Sequence, residues 1–132
     1  MRSPYIKSMN KIDIKQYDPA KEYYFTEGCF INELWNTIED QSLSVAQARV
    51  TPGKTTKWHK LKGIAERYII LEGCGRVEIG SHPPAIVKTG DVVAIPPDTP
   101  QRISNTGLND LLFLAVCTPR FNEQAYQEID TQ

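Results

Sequence analysis

Glycine and proline divide this chain into short segments, and no segment between Gly28 and Pro119 keeps a helical apolar period over three turns. The chain contains eight glycines and nine prolines. Short runs of β-branched, aromatic and aliphatic residues between such turn residues are typical of an all-β sandwich or barrel. The runs with strand character are residues 29–35, 43–50, 66–71, 76–79, 91–95 and 111–117.

Length and charge restrict the class of protein further. A chain of 132 residues corresponds to one domain, since domains usually have ~100–200 residues. The formal net charge of −1 gives no overall attraction to nucleic acid or to an acidic membrane. The longest apolar run, residues 111–117, is far shorter than the ~20 residues of a membrane helix. Because the N-terminal segment also lacks the apolar core of a secretory signal, we expect a cytoplasmic protein without a nucleic-acid or membrane partner.

The distribution of these patterns divides the chain into three parts. Residues 1–27 carry no strong pattern and are predicted to form an N-terminal arm or an edge strand. Residues 28–121 contain the strand-like runs and are predicted to form the β-barrel. Residues 122–132 are predicted to be a C-terminal tail with a short helix over 123–128, in which Asn122 is the N-cap.

A first block of spaced residues lies in the middle of the chain. Gly53, His59, Glu66 and Gly73 have the spacing of the first motif of the cupins, G-x5-H-x-H-x(3,4)-E-x6-G. Leu61 stands at the position of the second histidine of that motif. The block therefore resembles a cupin motif that has lost one of its imidazoles.

A second block follows after the short segment 74–89. Gly90, Pro96 and Asn105 fit the second cupin motif, G-x5-P-x-G-x2-H-x3-N, while Asp98 replaces its glycine and Gln101 its histidine. Two blocks in this order and at this distance resemble a small single-domain cupin with a degenerate metal site, somewhat like cupins of the polyketide-cyclase type. The resemblance implies an all-β double-stranded β-helix, or jelly-roll barrel, that is often a homodimer.

The alternation of side chains along strands indicates which residues face the barrel interior. Lys57, His59 and Leu61 share one face. Glu66, Tyr68 and Ile70 share another, and Gln101, Ile103 and Asn105 a third. If the isoleucines point inward, Glu66 and Gln101 do so as well. A carboxylate in an apolar interior is costly unless a proton, an imidazole or a cation is next to it.

The resemblance implies a divalent metal ion in the barrel, because complete cupin sites hold one with three histidines and a glutamate. Here the predicted ligands are His59, Glu66 and Gln101. One nitrogen and two oxygen donors suit Mn²⁺, Fe²⁺, Ni²⁺ or Zn²⁺. Such a protein binds or transforms a small organic molecule, and cyclase, isomerase and dioxygenase activities are all compatible with the superfamily. The metal would act mainly as a Lewis acid.

Three alternatives remain open at the level of the sequence. His59, Glu66 and Gln101 can instead hydrogen-bond one another in a barrel without metal. Such a barrel can bind or sense a ligand without catalysis, or serve as a dimeric structural module. The reaction, the substrate and the metal are not specified by these residues.

Four further residues are predicted to line the ligand pocket. Leu61 and Ile103 would form apolar walls, and Tyr68 would orient a substrate or donate a proton, unless it is an ordinary core tyrosine. Lys57 would bring an ammonium to the pocket mouth, unless it belongs to a solvated basic stretch.

Other titratable residues are expected to be less informative. His82 lies in a Gly-Ser-His-Pro-Pro turn and is predicted to be solvated. Glu33 lies on a predicted strand and can face either side. Cys29, Cys74 and Cys117 are far apart in sequence and are expected to be reduced, mostly buried thiols whose role is not assigned.

Overall fold

The computed structural model describes residues 11–129, which form β-strands and two short 3-10 turns, Pro19–Lys21 and Glu123–Ala125. The all-β fold class expected from the sequence is confirmed. Within this range the strands are β1 (Tyr23–Phe25), β2 (Cys29–Trp35), β3 (Ser44–Val50), β4 (His59–Leu61), β5 (Ala65–Glu72), β6 (Cys74–Ile79), β7 (Ala85–Lys88), β8 (Val92–Ile95), β9 (Gln101–Asn105), β10 (Leu111–Thr118) and β11 (Tyr126–Glu128).

The strands form two antiparallel sheets that enclose one core. The larger sheet has the order β1-β2-β3-β10-β5-β8 and the smaller one the order β11-β4-β9-β6-β7. Buried and half-buried residues alternate along β5, β9 and β10, as expected for strands with one face in the core. The main core contains residues from both sheets, such as Ile70, Ile103 and Leu111.

A second, smaller apolar cluster closes one end of the barrel. It contains Leu61, Ile64, Cys117 and Ala125. Phe25 adds edge-to-face contacts with two half-buried aromatic rings of this cluster, Phe121 and Tyr126, at centroid distances of 6.2 and 5.1 Å. This end of the barrel therefore depends on residues from both terminal parts of the chain.

Asp98, which replaces the glycine of the second motif, keeps the backbone conformation of a glycine. Its φ is +61°, a left-handed conformation that aspartate tolerates better than most residues. The side chain also supports a neighbouring turn, since Asp98 Oδ1 accepts a hydrogen bond from the Gly63 amide at 3.3 Å. The substitution thus leaves the turn before β9 in place.

The prediction of a helix over residues 123–128 is wrong. Asn122 does cap the segment, because its Oδ1 accepts a hydrogen bond from the Ala125 amide at 3.1 Å, but the helix ends after one 3-10 turn. Residues 126–128 instead form β11, which pairs antiparallel with β4. Pairing with a strand edge provides backbone hydrogen bonds that a single helical turn lacks, and this tertiary interaction outweighs the local helix signal. The last part of the predicted tail, 130–132, lies outside the described residues.

The N-terminal part begins as an exposed segment and ends as an edge strand. Residues 11–20 are exposed, and β1 pairs antiparallel with β2. Arg49 on β3 ties this part to the larger sheet, because its Nε and one of its terminal nitrogens lie 3.0 and 2.6 Å from the Glu22 carboxylate oxygens. Residues 1–10 of the predicted arm lie outside the described residues. In the part of the chain that the structure describes, no helix has the length and apolar character needed to cross a membrane.

Candidate functional site

Strands of both sheets, β4 and β9 of the smaller sheet and β5 of the larger one, bring the predicted metal ligands into one buried region. His59 begins β4, Glu66 lies near the start of β5 and Gln101 begins β9. His59 pairs directly with Gln101 across β4 and β9. The exposed fractions of His59, Glu66 and Gln101 are 2, 8 and 1%. Glu66 therefore faces the barrel interior, in agreement with the alternation along β5.

A chain of hydrogen bonds joins Tyr68, Gln101 and Glu66. The Tyr68 hydroxyl donates to Gln101 Oε1, and Gln101 Nε2 donates to Glu66 Oε1 at 3.0 Å. The Cys117 thiol donates to the other carboxylate oxygen, Glu66 Oε2, at 3.8 Å. The oxygen with which Gln101 would bind a metal ion thus accepts a hydrogen bond from Tyr68 at one of its two lone pairs. The ligand role of Gln101 stays a prediction.

His59 has a defined tautomer and a free nitrogen. Its Nδ1 lies 2.7 Å from the main-chain oxygen of Lys57, and because a carbonyl only accepts, Nδ1 carries the proton. Nε2 then has a lone pair in the neutral ring, and it lies 3.8 Å from Glu27 Oε2, too far for a hydrogen bond. Among the described residues Nε2 has no hydrogen-bond partner. Tyr126 of β11 stacks on the imidazole at a centroid distance of 5.2 Å and fixes the plane of the ring.

Glu27 is a site residue that the sequence analysis missed. It lies in the turn between β1 and β2, where its main-chain oxygen accepts a hydrogen bond from the Lys57 amide at 2.7 Å. Its carboxyl group interacts with the Cys29 thiol, and its side chain is only 14% exposed. Strand alternation could not have found it, because Glu27 lies in the turn before β2 and not on a strand.

Burial changes the protonation of this group of residues. Desolvation raises the pKa of Glu27 to about 7. Desolvation, followed by repulsion from Glu27, raises the pKa of Glu66 to about 7. The pKa of His59 is lowered, because burial disfavours the imidazolium. Near neutral pH the two carboxyl groups therefore lie close to their midpoints of titration, while the imidazole is neutral.

A cavity of about 50 Å³ adjoins this group of residues. It lies against strands of the larger sheet, and Glu27, Glu66 and, on β2, Glu33 are among its lining residues. Glu33, whose orientation the sequence left open, therefore faces inward. The remaining lining is largely apolar and includes Phe25 and Phe121. The lining is typical of a small-molecule site, whereas the volume is below the ~300–1,000 Å³ of most ligand pockets.

The four predicted pocket residues lie elsewhere. Leu61 belongs to the apolar cluster at the barrel end, and Tyr68 and Ile103 belong to the main core. Of these, only Tyr68 contacts the candidate site, through Gln101. The Lys57 side chain is 56% exposed and lies 3.6 Å from Glu128, so that it forms a surface ion pair.

The other titratable residues stay outside the site. His82 is exposed and its Nδ1 donates to the Pro83 carbonyl oxygen at 2.6 Å. The three cysteines are free thiols; Cys29 and Cys117 are buried and Cys74 is half-buried. Within residues 11–129, no three His, Cys, Asp or Glu side chains are already gathered so that they could hold a metal ion.

Comparison with known proteins relates this geometry to one family. The family described as the cupin domain matches residues 46–117, the segment from β3 to β10. The uncharacterized protein MJ1618 of Methanocaldococcus jannaschii is 35% identical over 116 residues, which are 86% of this chain and 92% of that protein.

Two solved structures illustrate the range of similar barrels. The nucleoside dehydratase Pac13 of Streptomyces superposes with a TM-score of 0.73 at 17% identity, over 89% of this chain and 92% of its own. A predicted oxalate decarboxylase of Thermotoga maritima superposes with a TM-score of 0.63 at 29% identity, over 69% of this chain and 80% of its own. The first of these likenesses concerns the fold alone.

Proposed function

Because this chain belongs to the cupin domain family, we propose that its barrel binds one divalent metal ion and acts on a small organic molecule in the adjoining cavity. The similar barrel at 29% identity, a predicted oxalate decarboxylase, supports an enzymatic role, whereas the likeness to the nucleoside dehydratase concerns the fold. Neither likeness specifies the reaction, because one fold hosts many chemistries.

The observation that carries the proposal is the contact between His59 and Glu27. The lone pair of Nε2 and the carboxylate oxygen Oε2 are both acceptors, and they lie 3.8 Å apart in a desolvated place. Two facing acceptors need a proton or a cation between them. Two metal–ligand bonds of about 2.1 Å span up to about 4.2 Å, so one cation can contact both atoms at this separation.

The donor set fits a divalent metal ion in its chemistry. His59 Nε2, Glu27 and Glu66 provide one imidazole nitrogen and carboxylate oxygens, which suit Mn²⁺, Fe²⁺, Ni²⁺ or Zn²⁺. Glu66 is the ligand that has to change partners, because its two oxygens accept hydrogen bonds from Gln101 and Cys117. When bound, the metal ion would supply a Lewis acid that polarises an oxygen of the organic molecule.

The chain's own residues would position the organic molecule and move protons. Glu27 and Glu66, each with a pKa of about 7, can accept or donate a proton at neutral pH. The apolar lining, which includes Phe25 and Phe121, would reduce the contact of a bound molecule with water. Proton transfer of this kind suits a cyclisation or an isomerisation better than it suits a dioxygenation.

A second candidate function is a metal-free barrel that binds or senses a ligand. It is favoured by the hydrogen bonds from Gln101 and Cys117 to Glu66, because this carboxyl group is then satisfied by the protein itself. Glu27, when protonated, could likewise donate to His59 Nε2 after a small movement. In this case protons would take the place of the cation.

Metal content separates the two candidates. In full-length protein purified without a chelating tag, we expect about one divalent ion per chain in the wild type, measured by mass spectrometry after loading and desalting. Glu66→Gln should reduce it to about a tenth or less, since loss of one ligand of three costs at least one to two decades of affinity. Glu72→Gln, which removes an exposed carboxylate at the end of β5, is the matched control. Equal trace metal in all three proteins would favour the metal-free barrel.

The expectations about partners and location remain predictions. The homodimer implied by the resemblance can be checked by sedimentation equilibrium of the full-length chain. A cytoplasmic location and the lack of nucleic-acid or membrane partners are expected from charge and composition alone.

A further inference from the structure

The charged side chains that line the cavity are all negative. Three carboxylates, Glu27, Glu33 and Glu66, face the cavity, and no Lys or Arg side chain of the described residues lines it. Three ionised carboxylates contribute −3 and one divalent ion +2, which leaves −1 in the cavity even in the metal-bound form. A carboxylate or phosphate ligand would therefore enter against a negative potential, with or without metal.

Glu33 is the carboxylate that remains available to a ligand. Its Oε1 accepts a hydrogen bond from Asn36 Nδ2 at 3.1 Å, and its Oε2 has no partner among the described residues. Asn36 has no free donor left, because its amide also donates to the Phe121 carbonyl oxygen at 3.0 Å, while its Oδ1 accepts from Arg120 Nε at 2.7 Å. Asn36 thus fixes one oxygen of the Glu33 carboxylate, while the other oxygen is available to a ligand.

Two basic side chains next to the lining residues donate hydrogen bonds to groups of the protein. Arg120 donates to Asn36, and the Lys15 ammonium donates to the main-chain oxygen of Glu33 at 2.7 Å. Neither side chain lines the cavity. His59 is 2% exposed and does not line the cavity, although its Nε2 lies 3.8 Å from Oε2 of the lining residue Glu27. The charged groups of the lining are therefore all carboxylates, and the other lining residues include the hydroxyl side chains Tyr23 and Ser44 and the rings of Phe25 and Phe121.

We propose that the ligand of this cavity is a small primary ammonium compound, whose charged group binds Glu33 and whose hydrocarbon part lies against Phe25 and Phe121. An ammonium group offers three donors and a positive charge to a lining of acceptors, and aromatic rings attract cations. The inference deepens the proposed function and rests on it in one respect, that this cavity is where the organic molecule binds. It does not depend on whether a metal ion is bound.

Three probes of equal chain length test the charge preference: n-butylammonium, n-butanol and n-butyrate. Binding to the full-length protein is measured by calorimetry or by NMR titration, in metal-loaded and in chelator-treated samples. We expect n-butylammonium to bind at least about tenfold more tightly than n-butyrate in both forms, because a hydrogen bond to a charged group contributes about 1.5–3 kcal/mol. The same samples are assayed for metal content.

Matched variants assign the preference to Glu33. Glu33→Gln keeps an oxygen for Asn36 and should lower the affinity for n-butylammonium by about tenfold, towards that of n-butanol. Glu72→Gln removes the same charge from the surface and should leave the affinity unchanged. The inference is overturned if n-butyrate binds as tightly as n-butylammonium, if no probe binds, or if the two variants have equal effects. If n-butyrate binds and its binding disappears in Arg120→Gln, the cavity would instead be a site for anions. Because metal content is measured separately, a failure of the ligand inference is distinguishable from a failure of the metal proposal.

Discussion

In chelator-treated protein, the free energy of unfolding is expected to fall by about 5 kcal/mol as the pH rises from about 5 to about 8, about half of it from each of two buried glutamates. The cause is the burial of Glu27 and Glu66, whose pKa values are raised from 4.5 to about 7. Between these two values the folded state binds more protons than the unfolded state, so stability decreases as the pH rises. A pKa difference of about 2.5 for one carboxyl group corresponds to about 3 kcal/mol. Urea unfolding at a series of pH values measures the effect.

Variants and metal separate the contributions to this pH dependence. Glu66→Gln should remove about half of the fall, because a neutral amide does not titrate while Glu27 still does, whereas Glu72→Gln should leave the curve unchanged. His59 has the opposite effect on stability at low pH, since its lowered pKa makes the folded state bind fewer protons than the unfolded state there. Because His59 is present in both the wild type and Glu66→Gln, the difference between their curves gives the contribution of the Glu66 carboxyl group alone. Bound metal competes with protons and should reduce or reverse the fall. A flat curve in the chelator-treated wild type would contradict the buried arrangement of both glutamates.

The fold and the inward direction of Glu66 were accessible from the sequence, because both follow from local patterns. The cupin assignment rested on two spaced blocks and is confirmed by the family match over residues 46–117, and with it the double-stranded β-helix. The direction of Glu66 follows from its parity with Ile70, which is fixed by the pleat of β5. These features depend on residues that are close in sequence.

The parts that sequence reasoning missed depend on contacts between distant residues. Glu27 was assigned to the arm because the barrel was taken to begin at residue 28, one position later. The position of Lys57 was inferred from strand alternation, yet β4 begins only at His59, so the parity argument did not apply there. Tyr126 reaches His59 only because β11 pairs with β4, and no local signal indicates that pairing.

Gln101 is the residue for which sequence and structure suggest different roles, and its substitution is expected to be the second large effect. Gln101→Leu should lower the free energy of unfolding by about 3 kcal/mol, since it leaves the Tyr68 hydroxyl and Glu66 Oε1 buried without their partner, at about 1–3 kcal/mol each. Tyr68→Phe alone should cost about 1 kcal/mol. Urea unfolding at one pH measures both variants and the double variant.

The double variant distinguishes a hydrogen-bonding role of Gln101 from a metal-binding one. Once Gln101 is a leucine, the Tyr68 hydroxyl has already lost its acceptor, so adding Tyr68→Phe should cost little or restore stability, with a coupling energy of about 1 kcal/mol or more. Ile103→Val, an inward-facing change on the same strand, should cost about 1 kcal/mol, and its effect should add to that of Tyr68→Phe without coupling.

If Gln101 acts only by holding Glu66 and Tyr68, metal content per folded chain changes little in Gln101→Leu, because His59, Glu27 and Glu66 remain. The opposite result would be a loss of metal in Gln101→Leu as large as that in Glu66→Gln, with additive effects of Gln101→Leu and Tyr68→Phe on the free energy of unfolding. Gln101 would then be a metal ligand, and its amide would have to turn away from Tyr68 when the metal ion binds.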